Sequence, residues 1–350
     1  MIRNYILETP QGVQELVHTE LVPSARDFLA LLKSAKRVYF VGCGTSFHAG
    51  LFGKYMFEKY LGVACDTVDA LEFVESIPDK MVGKDTPVVL ISHTGRSDVT
   101  LEACRRAKEL KAPVLALCGG LDTPLGEMAD AQVSFNAIDE TVGPKTKGYT
   151  LSLVALLQML SHVSADYTTR FDTLAKVLND SLSGFIAEMD SLSWPTTHSF
   201  GQLGEIVVVG GGVCWSVVHE MALKLIEIAR INSVGYYTEH MRHGASYSRD
   251  SSDGFICIIA RKADIRTAVE LSQITNAIGS PLLVITAPQF ADQLELRGQA
   301  ETIVLSKDLE ELIALESTLA LQLFAYSLAK RRGLNLDEGL PEFLRFKTKV

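Results

Sequence analysis

A long internal repeat constrains the fold of this chain more than any other sequence feature. Equivalent residues recur with an offset of 168 positions (210 − 42 = 168), and the matching pairs are Gly42 and Gly210, Ile91 and Ile259, and Pro113 and Pro281. Each pair lies in or beside a short apolar run typical of a buried parallel strand, and helix-like stretches separate the runs. A solenoid is excluded, because its repeats are only ~20–50 residues long. The repeat therefore predicts an α/β fold with two flavodoxin-like domains, related by internal duplication, each a parallel sheet with helices on both faces.

Chain length and the repeat together predict the domain organisation. At 350 residues the chain is too long for one small core and suits two domains. The eight predicted strands are 37–41, 87–92, 112–118, 131–135, 205–212, 255–260, 280–286 and 301–306. The expected segments are an N-terminal helical arm (1–30), a first domain (31–165), a helical connector (166–199), a second domain (200–335) and a C-terminal tail over the active site (336–350).

Composition disfavours several classes of partner. The formal net charge is −9, with no run of lysine or arginine, so we expect no nucleic-acid partner. The six cysteines lie far apart without a CxxC pair, which indicates neither a disulfide framework nor a zinc site. No signal peptide is recognisable at the start, and the apolar stretch 206–218 is too short for a membrane span. We therefore expect a cytoplasmic protein that has no membrane partner and needs no cofactor or metal.

Two polar turns follow neighbouring predicted strands. Gly-Cys-Gly-Thr-Ser occupies 42–46, and Ser-His-Thr-Gly-Arg-Ser occupies 92–97, each before a helical pattern. Ligands bind at the carboxyl edge of such sheets, where hydroxyls, close-packed glycines and helix N-termini suit a phosphate monoester. The candidate binding residues are Cys43, Gly44, Thr45, Ser46, Ser92, His93, Thr94 and Ser97.

Two other interpretations of these turns stay open. Serine and threonine also cap helices without binding anything. A dinucleotide site is the second alternative, with Asp66 near the position of a ribose-binding acid, although Phe47 replaces the third glycine of that fingerprint. The matching turn of the second half, 260–264, lacks the hydroxyls, so we expect that half to have lost a phosphate site and to hold something else there.

The predicted helix 219–230 carries one narrow polar stripe. Glu220, Lys224 and Glu227 are spaced i, i+4 and i+7 on an otherwise apolar helix, which predicts burial against a polar cleft or pairing among the charges. Glu220 and Lys224 could form a structural pair, which would leave Glu227 without an obvious helical partner. A desolvated carboxylate has a raised pKa, which suits proton transfer near neutrality.

A turn with two histidines follows this helix. His240 and His243 are three residues apart, but no third metal ligand is evident, so a metal site is not expected. Imidazole titrates near neutrality, which makes His243 chemically capable, although a lone histidine is more often structural.

These motifs together resemble the double-domain form of the sugar isomerase (SIS) family. The resemblance is to the isomerase half of glucosamine-6-phosphate synthase and to its relatives, the fructosamine-6-phosphate deglycases. The matching segments cover nearly the whole chain and are 6–10, 43–46, 92–95, 140–150, 222–228 and 242–244.

The resemblance implies roles for individual residues. It implies that the first two turns hold the sugar phosphate and that Glu227 moves a proton between C1 and C2 of the sugar. It also implies that His243 assists ring opening from the neighbouring subunit, and hence a homodimer with shared active sites. Lys147 and Lys224 lie within matching motifs and are further candidate substrate-binding residues.

Two departures from the synthase pattern favour the deglycases. The chain begins at Met1 without a glutaminase part, and Ile2 replaces the nucleophilic cysteine, so we expect no use of glutamine as ammonia donor. The Schiff-base lysine of the synthase aligns with Arg345, whose guanidinium stays protonated, although Lys347 or Lys349 could substitute. Arg345 is therefore a candidate substrate-binding residue of the tail.

The expected function is a deglycase that cleaves a 6-phosphorylated sugar–amine to hexose 6-phosphate and free amine. An aldose–ketose isomerase, or an amino-sugar-phosphate deaminase/isomerase, would use the same Glu227 and His243. A non-enzymatic sugar-phosphate sensor is the third alternative, and the absence of a helix-turn-helix before the first domain disfavours a transcription factor.

Overall fold

The computed structural model describes residues 1–298 and 300–336, with only the backbone for 193–195. Within these residues the chain forms two compact units. One contains Glu8–Asn179, and the other contains Met1–Leu7 together with the residues from Asp180 onward. Each unit holds one five-stranded parallel sheet flanked by helices, so the predicted α/β class with two parallel sheets is confirmed.

The sheet of the first unit has the strand order β2-β1-β3-β4-β5. Its strands are β1 (Val38–Gly42), β2 (Cys65–Asp69), β3 (Val88–Ser92), β4 (Val114–Cys118) and β5 (Ala131–Ser134). The central strands β1, β3 and β4 are buried along their whole length, which explains their nearly continuous apolar sequences. This order makes β1 and β3 neighbours, so the two polar turns start at the same edge of the sheet.

The sheet of the second unit has the order β10-β9-β8-β6-β7. Its strands are β6 (Glu205–Gly210), β7 (Asn232–Tyr237), β8 (Asp253–Ile259), β9 (Leu282–Thr286) and β10 (Glu301–Val304). Read from the other edge, this order is the same as in the first unit. All eight predicted strands are therefore confirmed, with ends that shift by up to two residues.

Strands β2 and β7 were missed in the sequence. Each lies at the edge of its sheet, where half of the backbone faces no further strand, and each has mostly half-buried side chains. Their sequences, Cys-Asp-Thr-Val-Asp and Asn-Ser-Val-Gly-Tyr-Tyr, accordingly lack a continuous apolar run.

Helices occupy most of the chain between the strands. They are α1 (Ile2–Val17), α2 (Pro23–Leu31), α3 (Thr45–Leu61), α4 (Ala70–Glu75), α5 (Asp98–Glu109), α6 (Pro124–Met128), α7 (Lys147–Val163), α8 (Ala165–Thr196), α9 (Trp215–Lys224), α10 (Thr238–His240), α11 (Lys262–Ile278), α12 (Pro288–Ala291) and α13 (Glu310–Arg331). The predicted helices after the two polar turns are confirmed as α3 and α5.

Helix α13 is long and apolar enough to be compared with a membrane span. By length and composition it could cross a membrane, but 94% of its apolar window is buried inside the fold. Such burial is expected of the core helix of a globular unit, and composition alone is weak support for a membrane span.

Candidate active site

The first turn leaves β1 through two glycines that the backbone requires. A Cβ atom at Gly42 would lie 2.8 Å from the Cβ of Ser46 and 3.1 Å from the carbonyl oxygen of Ile91. Gly44, at the N-cap of α3, has a φ of +53°, in the left-handed region that favours glycine. The tight turn brings Thr45 and Ser46 to the first residues of α3, next to the end of β3.

A cavity of about 160 Å³ lies at this carboxyl edge of the first sheet. We call it the edge cavity, and its lining residues are Cys43, Thr45, Ser46, Ile91, His93, Phe135, Lys145, Gly148, Tyr149 and Ser152. Four of the eight predicted turn residues are among them. The prediction that the two turns contribute to one site therefore agrees with the geometry of this edge.

The remaining turn residues lie beside the edge cavity rather than in its lining. The hydroxyl oxygen of Ser92 accepts the Gly95 N–H at 3.2 Å, and that of Thr94 accepts the Arg96 N–H at 3.3 Å. Ser97 is the N-cap of α5 without a side-chain capping bond, and Gly44 is exposed. Part of the hydroxyl cluster thus stabilises its own turn.

The cavity wall includes residues that sequence reasoning missed. Lys145 and Tyr149 both line it, whereas Lys147, the predicted lysine of this segment, does not. The Nζ of Lys147 instead contacts Asp139 at 2.7 Å and Glu8 at 3.4 Å. The segment 140–150 was a recognisable signal, but periodicity could not tell which of its two lysines points to the sheet edge.

Glu140 fixes the loop that precedes α7. Its buried carboxylate accepts the Thr146 N–H at 2.7 Å, the Thr146 hydroxyl at 2.8 Å and the Gly148 N–H at 2.8 Å. Two of these three hydrogen bonds satisfy backbone N–H groups at the start of α7. Lys145 is therefore held on a structured loop.

His93 is a half-buried titratable group in the lining of the edge cavity. Burial and, after it, the nearby ammonium group of Lys145 lower its pKa to about 4. Its Nε2 is shielded from solvent and makes no hydrogen bond within the described residues. The ring packs against Phe135 with 5.6 Å between centroids. His93 is thus a neutral imidazole near pH 7, with one nitrogen unsatisfied.

The polar stripe of the second unit forms a buried cluster around Lys224. The Nζ of Lys224 lies 3.0 Å from Glu220 and 2.5 Å from Glu227, and the side chains of Lys224 and Glu220 are fully buried. The prediction that Glu227 lacks a helical partner is therefore wrong, because one lysine contacts both carboxylates. Burial alone would lower the pKa of Lys224, but the two carboxylates outweigh burial and leave the pKa raised.

Glu227 lies on a π-helical turn rather than on regular α-helix. Helix α9 ends at Lys224, and the π turn spans Leu225–Ala229. Glu227 lies three residues after Lys224 and Glu220 lies four residues before it, so both carboxylates are helical neighbours of the same ammonium group. π turns of this kind often occur at functional sites. The side chain of Glu227 is 33% exposed, whereas those of Lys224 and Glu220 are fully buried, so Glu227 is the accessible member of the cluster.

His243 lies on an irregular exposed turn that ion pairs hold in place. Its side chain is 73% exposed, and its Nε2 lies 3.1 Å from a carboxylate oxygen of Glu239. Arg242 contacts the same Glu239 at 3.2 Å and Glu270 of α11 at 2.8 Å. Gly244, with φ of +106°, breaks the helical backbone directly after His243.

The corresponding turn of the second sheet is occupied by an arginine. The guanidinium of Arg261 packs against the backbone of Gly211 and Gly212, where a Cβ atom would clash with it. Asp264, fully buried, binds it at 2.7 Å, and the hydroxyl of Tyr237 accepts from it at 2.7 Å. The lack of hydroxyls predicted that this turn would differ from the edge cavity. In the structure the side chain of Arg261 occupies the space beside it.

Of two further candidate residues from the sequence, the structure describes Asp66 but not Arg345. Asp66, considered for a ribose, forms an ion pair with Arg37 at 2.5 Å, which weakens the dinucleotide alternative. Arg345 lies outside the described residues, as do Lys347 and Lys349.

Comparisons with known proteins agree with this geometry. The family model described as "SIS domain" matches residues 31–162, which include the whole edge cavity. The chain is 29% identical over 322 residues to glutamine–fructose-6-phosphate aminotransferase (isomerizing) of Chlorobaculum tepidum, covering 89% of this chain and 51% of that protein. The chain thus spans about half the length of the curated relatives it matches.

Solved structures show the same fold over nearly the whole chain. The C-terminal domain of glucosamine-fructose-6-phosphate aminotransferase from Francisella tularensis superposes with a TM-score of 0.83 at 22% identity, covering 96% of this chain and 98% of that one. Glucosamine-6-phosphate deaminase from Thermotoga maritima superposes with a TM-score of 0.75 at 21% identity, covering 96% of each chain. The resemblance inferred from the motifs is confirmed to the extent that residues 31–162 match the SIS-domain family model.

Proposed function

We propose that this protein is a phosphosugar deglycase. Its substrate would be a 6-phosphorylated fructosamine or glucosamine-type amino-acid conjugate, and its products hexose 6-phosphate and the free amine. The observation that carries the proposal is the Glu220–Lys224–Glu227 cluster, in which a buried ammonium group positions one accessible carboxylate. A carboxylate held in this way is suited to repeated proton transfer at a carbon next to a carbonyl.

The edge cavity would bind the phosphate group. Its hydroxyl-bearing residues Thr45 and Ser46 lie at the N-terminus of the 17-residue helix α3, whose partial positive charge favours an anion. We further assign Cys43, Gly44, Ser92, His93, Thr94 and Ser97 to this binding role. Lys224 and Arg345 remain predicted substrate-binding residues, whereas the contacts of Lys147 with Asp139 and Glu8 hold it outside the cavity lining.

Glu227 would carry the proton in the chemical step. On a fructosamine it removes a proton from C1, which gives an enaminol, and a proton returned to C2 leaves an imine between C1 and the amine nitrogen. Water then adds to C1, the C1–N bond breaks, and the amine leaves with one proton. The sugar product is the aldose 6-phosphate. The positive charge of Lys224 favours the carboxylate form that the first proton transfer requires.

His243 would assist ring opening in the site of a neighbouring subunit. In the single chain its side chain is 73% exposed, and its Nε2 lies 3.1 Å from a carboxylate oxygen of Glu239. We therefore propose a homodimer with active sites shared between subunits.

An amino-sugar-phosphate deaminase/isomerase, or an aldose–ketose isomerase, is the second candidate. The similarity in fold to a glucosamine-6-phosphate deaminase favours it, and the same carboxylate would serve. A sugar-phosphate sensor without turnover is the third.

A substrate panel distinguishes these functions. The purified chain is incubated with phosphorylated fructosamines, glucosamine 6-phosphate and fructose 6-phosphate, and glucose 6-phosphate, ammonia and released amines are measured. Release of an amino acid supports the deglycase, and ammonia or a ketose–aldose exchange supports the second candidate. Binding without turnover of any substrate would identify a sensor and overturn the enzymatic proposal.

Glu227→Gln tests the proton carrier directly. The substitution keeps the size but removes the basic oxygen, so binding should persist while turnover falls about 10²–10⁴-fold. The melting temperature of the same variant is the control, because loss of the contact with Lys224 also affects stability. A folded variant with near-normal turnover would refute the role of Glu227.

We also propose that the chain arose by internal duplication of a domain, with copies at 31–165 and 200–335. The two sheets have the same strand order, and the offset extends to their edges: Val38 pairs with Cys65, and Ile206 pairs with Ser233, each residue displaced by the same 168 positions. The edge strands were not used to find the repeat and therefore support it independently.

A further inference from the structure

Lys145 places a fixed positive charge in the wall of the edge cavity. Its ammonium group donates to the backbone carbonyl oxygens of Glu140 at 2.5 Å and Val142 at 2.8 Å. Since the hydrogen bonds of Glu140 hold this loop against the start of α7, the charge is positioned before any ligand arrives. A preorganised cation loses less conformational entropy on binding than a free lysine does.

Lys145 is the one cationic side chain among the described residues that line the edge cavity. The other basic residue of the lining, His93, is neutral near pH 7 because burial and Lys145 lower its pKa to about 4. The hydroxyl-bearing Thr45 and Ser46 and the N-terminus of α3 add donors to the same lining. The charge and the donors therefore favour an anion.

The unsatisfied nitrogen of His93 is an independent indication of a ligand. A buried polar atom without a hydrogen bond destabilises the fold, and the Nε2 of His93 is in this condition within the described residues. A sugar hydroxyl of the ligand, which can donate or accept, would satisfy it. The charge of Lys145 and this nitrogen thus lie on one cavity lining.

Lys147 has a different environment although it is only two residues away. Its ammonium group contacts the carboxylates of Asp139 and Glu8, its side chain is 8% exposed, and it is absent from the cavity lining. Two acidic partners neutralise its charge and hold it within the unit.

We propose that Lys145 binds the phosphate of the substrate and makes the edge cavity selective for a phosphate dianion. This inference rests on the proposed function and refines it, since it assigns the cationic contact to Lys145 rather than to Lys147. The chemical class that the cavity recognises is then a phosphate monoester with both acidic oxygens ionised.

The test compares three variants by calorimetric titration with glucose 6-phosphate. In Lys145→Met the Kd should rise about 10- to 100-fold, the range expected for a lost hydrogen bond to a charged group. Lys145→Arg keeps the charge and should bind within several-fold of the wild type. Lys147→Met is the matched control: its melting temperature should fall, while its Kd stays near the wild-type value.

Salt dependence gives a second measurement. Wild-type affinity for glucose 6-phosphate should weaken with rising ionic strength, and Lys145→Met should show a shallower dependence, because a charge–charge contact is screened by salt. Near-ultraviolet circular dichroism of each variant verifies that it is folded.

The possible results separate the two hypotheses. Equal affinities of folded Lys145→Met and the wild type would overturn this inference and leave the phosphosugar function standing. A larger loss of affinity in Lys147→Met, without loss of stability, would return the role to Lys147 and also overturn it. If the wild type bound no hexose 6-phosphate at all, the proposed function and this inference would both be refuted.

Discussion

The neutral state of His93 predicts a specific dependence of stability on pH. The pKa of His93 is about 4 in the fold, lowered first by burial and then by Lys145. In the unfolded chain it returns to ~6.5. Between these two values the unfolded state binds more protons, so the stability contributed by neutral His93 is fully present above pH ~6.5 and is lost as pH falls towards 4. Acidification should therefore destabilise the first unit through this residue.

The magnitude follows from the two pKa values. Lowering the pH from 7 to 5 protonates nearly all of the unfolded imidazole but only about a tenth of the folded one, which costs about 2 kcal/mol of unfolding free energy. His93→Gln has a similar size and does not titrate. Other titrating groups, including Lys145, Asp139 and Glu140, are present in both proteins and cancel in the comparison.

The assay is denaturant unfolding of wild type and His93→Gln at pH 7 and pH 5, followed by circular dichroism. The loss of unfolding free energy between the two pH values should be about 2 kcal/mol smaller in the variant. Nitrogen-15 NMR of the imidazole gives an independent reading, since His93 should stay neutral at pH 5. Equal pH dependence in both proteins, or titration of His93 near pH 6.5, would refute the argument.

Three further predictions concern the site and the assembly. Ser46→Ala should weaken glucose 6-phosphate binding in calorimetry by about 1.5–3 kcal/mol, the contribution of a hydrogen bond to a charged oxygen. Ser134 lies outside the cavity lining, so the control variant Ser134→Ala should bind with the wild-type affinity. Lys224→Met should lower the unfolding free energy by about 3–5 kcal/mol, because Glu220 then becomes a buried charge without its ammonium partner; a loss below 1 kcal/mol in denaturant unfolding would contradict this. Mixing inactive Glu227→Gln and His243→Ala subunits should restore part of the activity in hybrid dimers, and no recovery after verified subunit exchange would mean that each site is built within one chain.

Local pattern was sufficient for the central strands and for the turns between them. Runs such as Val-Val-Leu-Ile-Ser at 88–92 are apolar because both faces of a central parallel strand are covered. A continuous apolar run in the sequence therefore indicates such a strand. The glycines at 42 and 44 are a similarly local signal, since a tight turn needs a residue without a Cβ atom. The edge strands β2 and β7 escaped this reasoning because they are only partly covered and tolerate polar residues.

Which charged groups meet was decided by the tertiary structure. The helical spacing allows Lys224 to pair with Glu220 or with Glu227, and the structure shows that its ammonium group contacts both, with Glu227 on a π turn. Lys145 and Lys147 are indistinguishable by composition, and they differ because the loop before α7 directs one to the edge cavity and the other to Asp139 and Glu8. Hydropathy and spacing are properties of neighbours along the chain, whereas pairing of charges depends on backbone geometry that brings distant residues to within hydrogen-bonding distance.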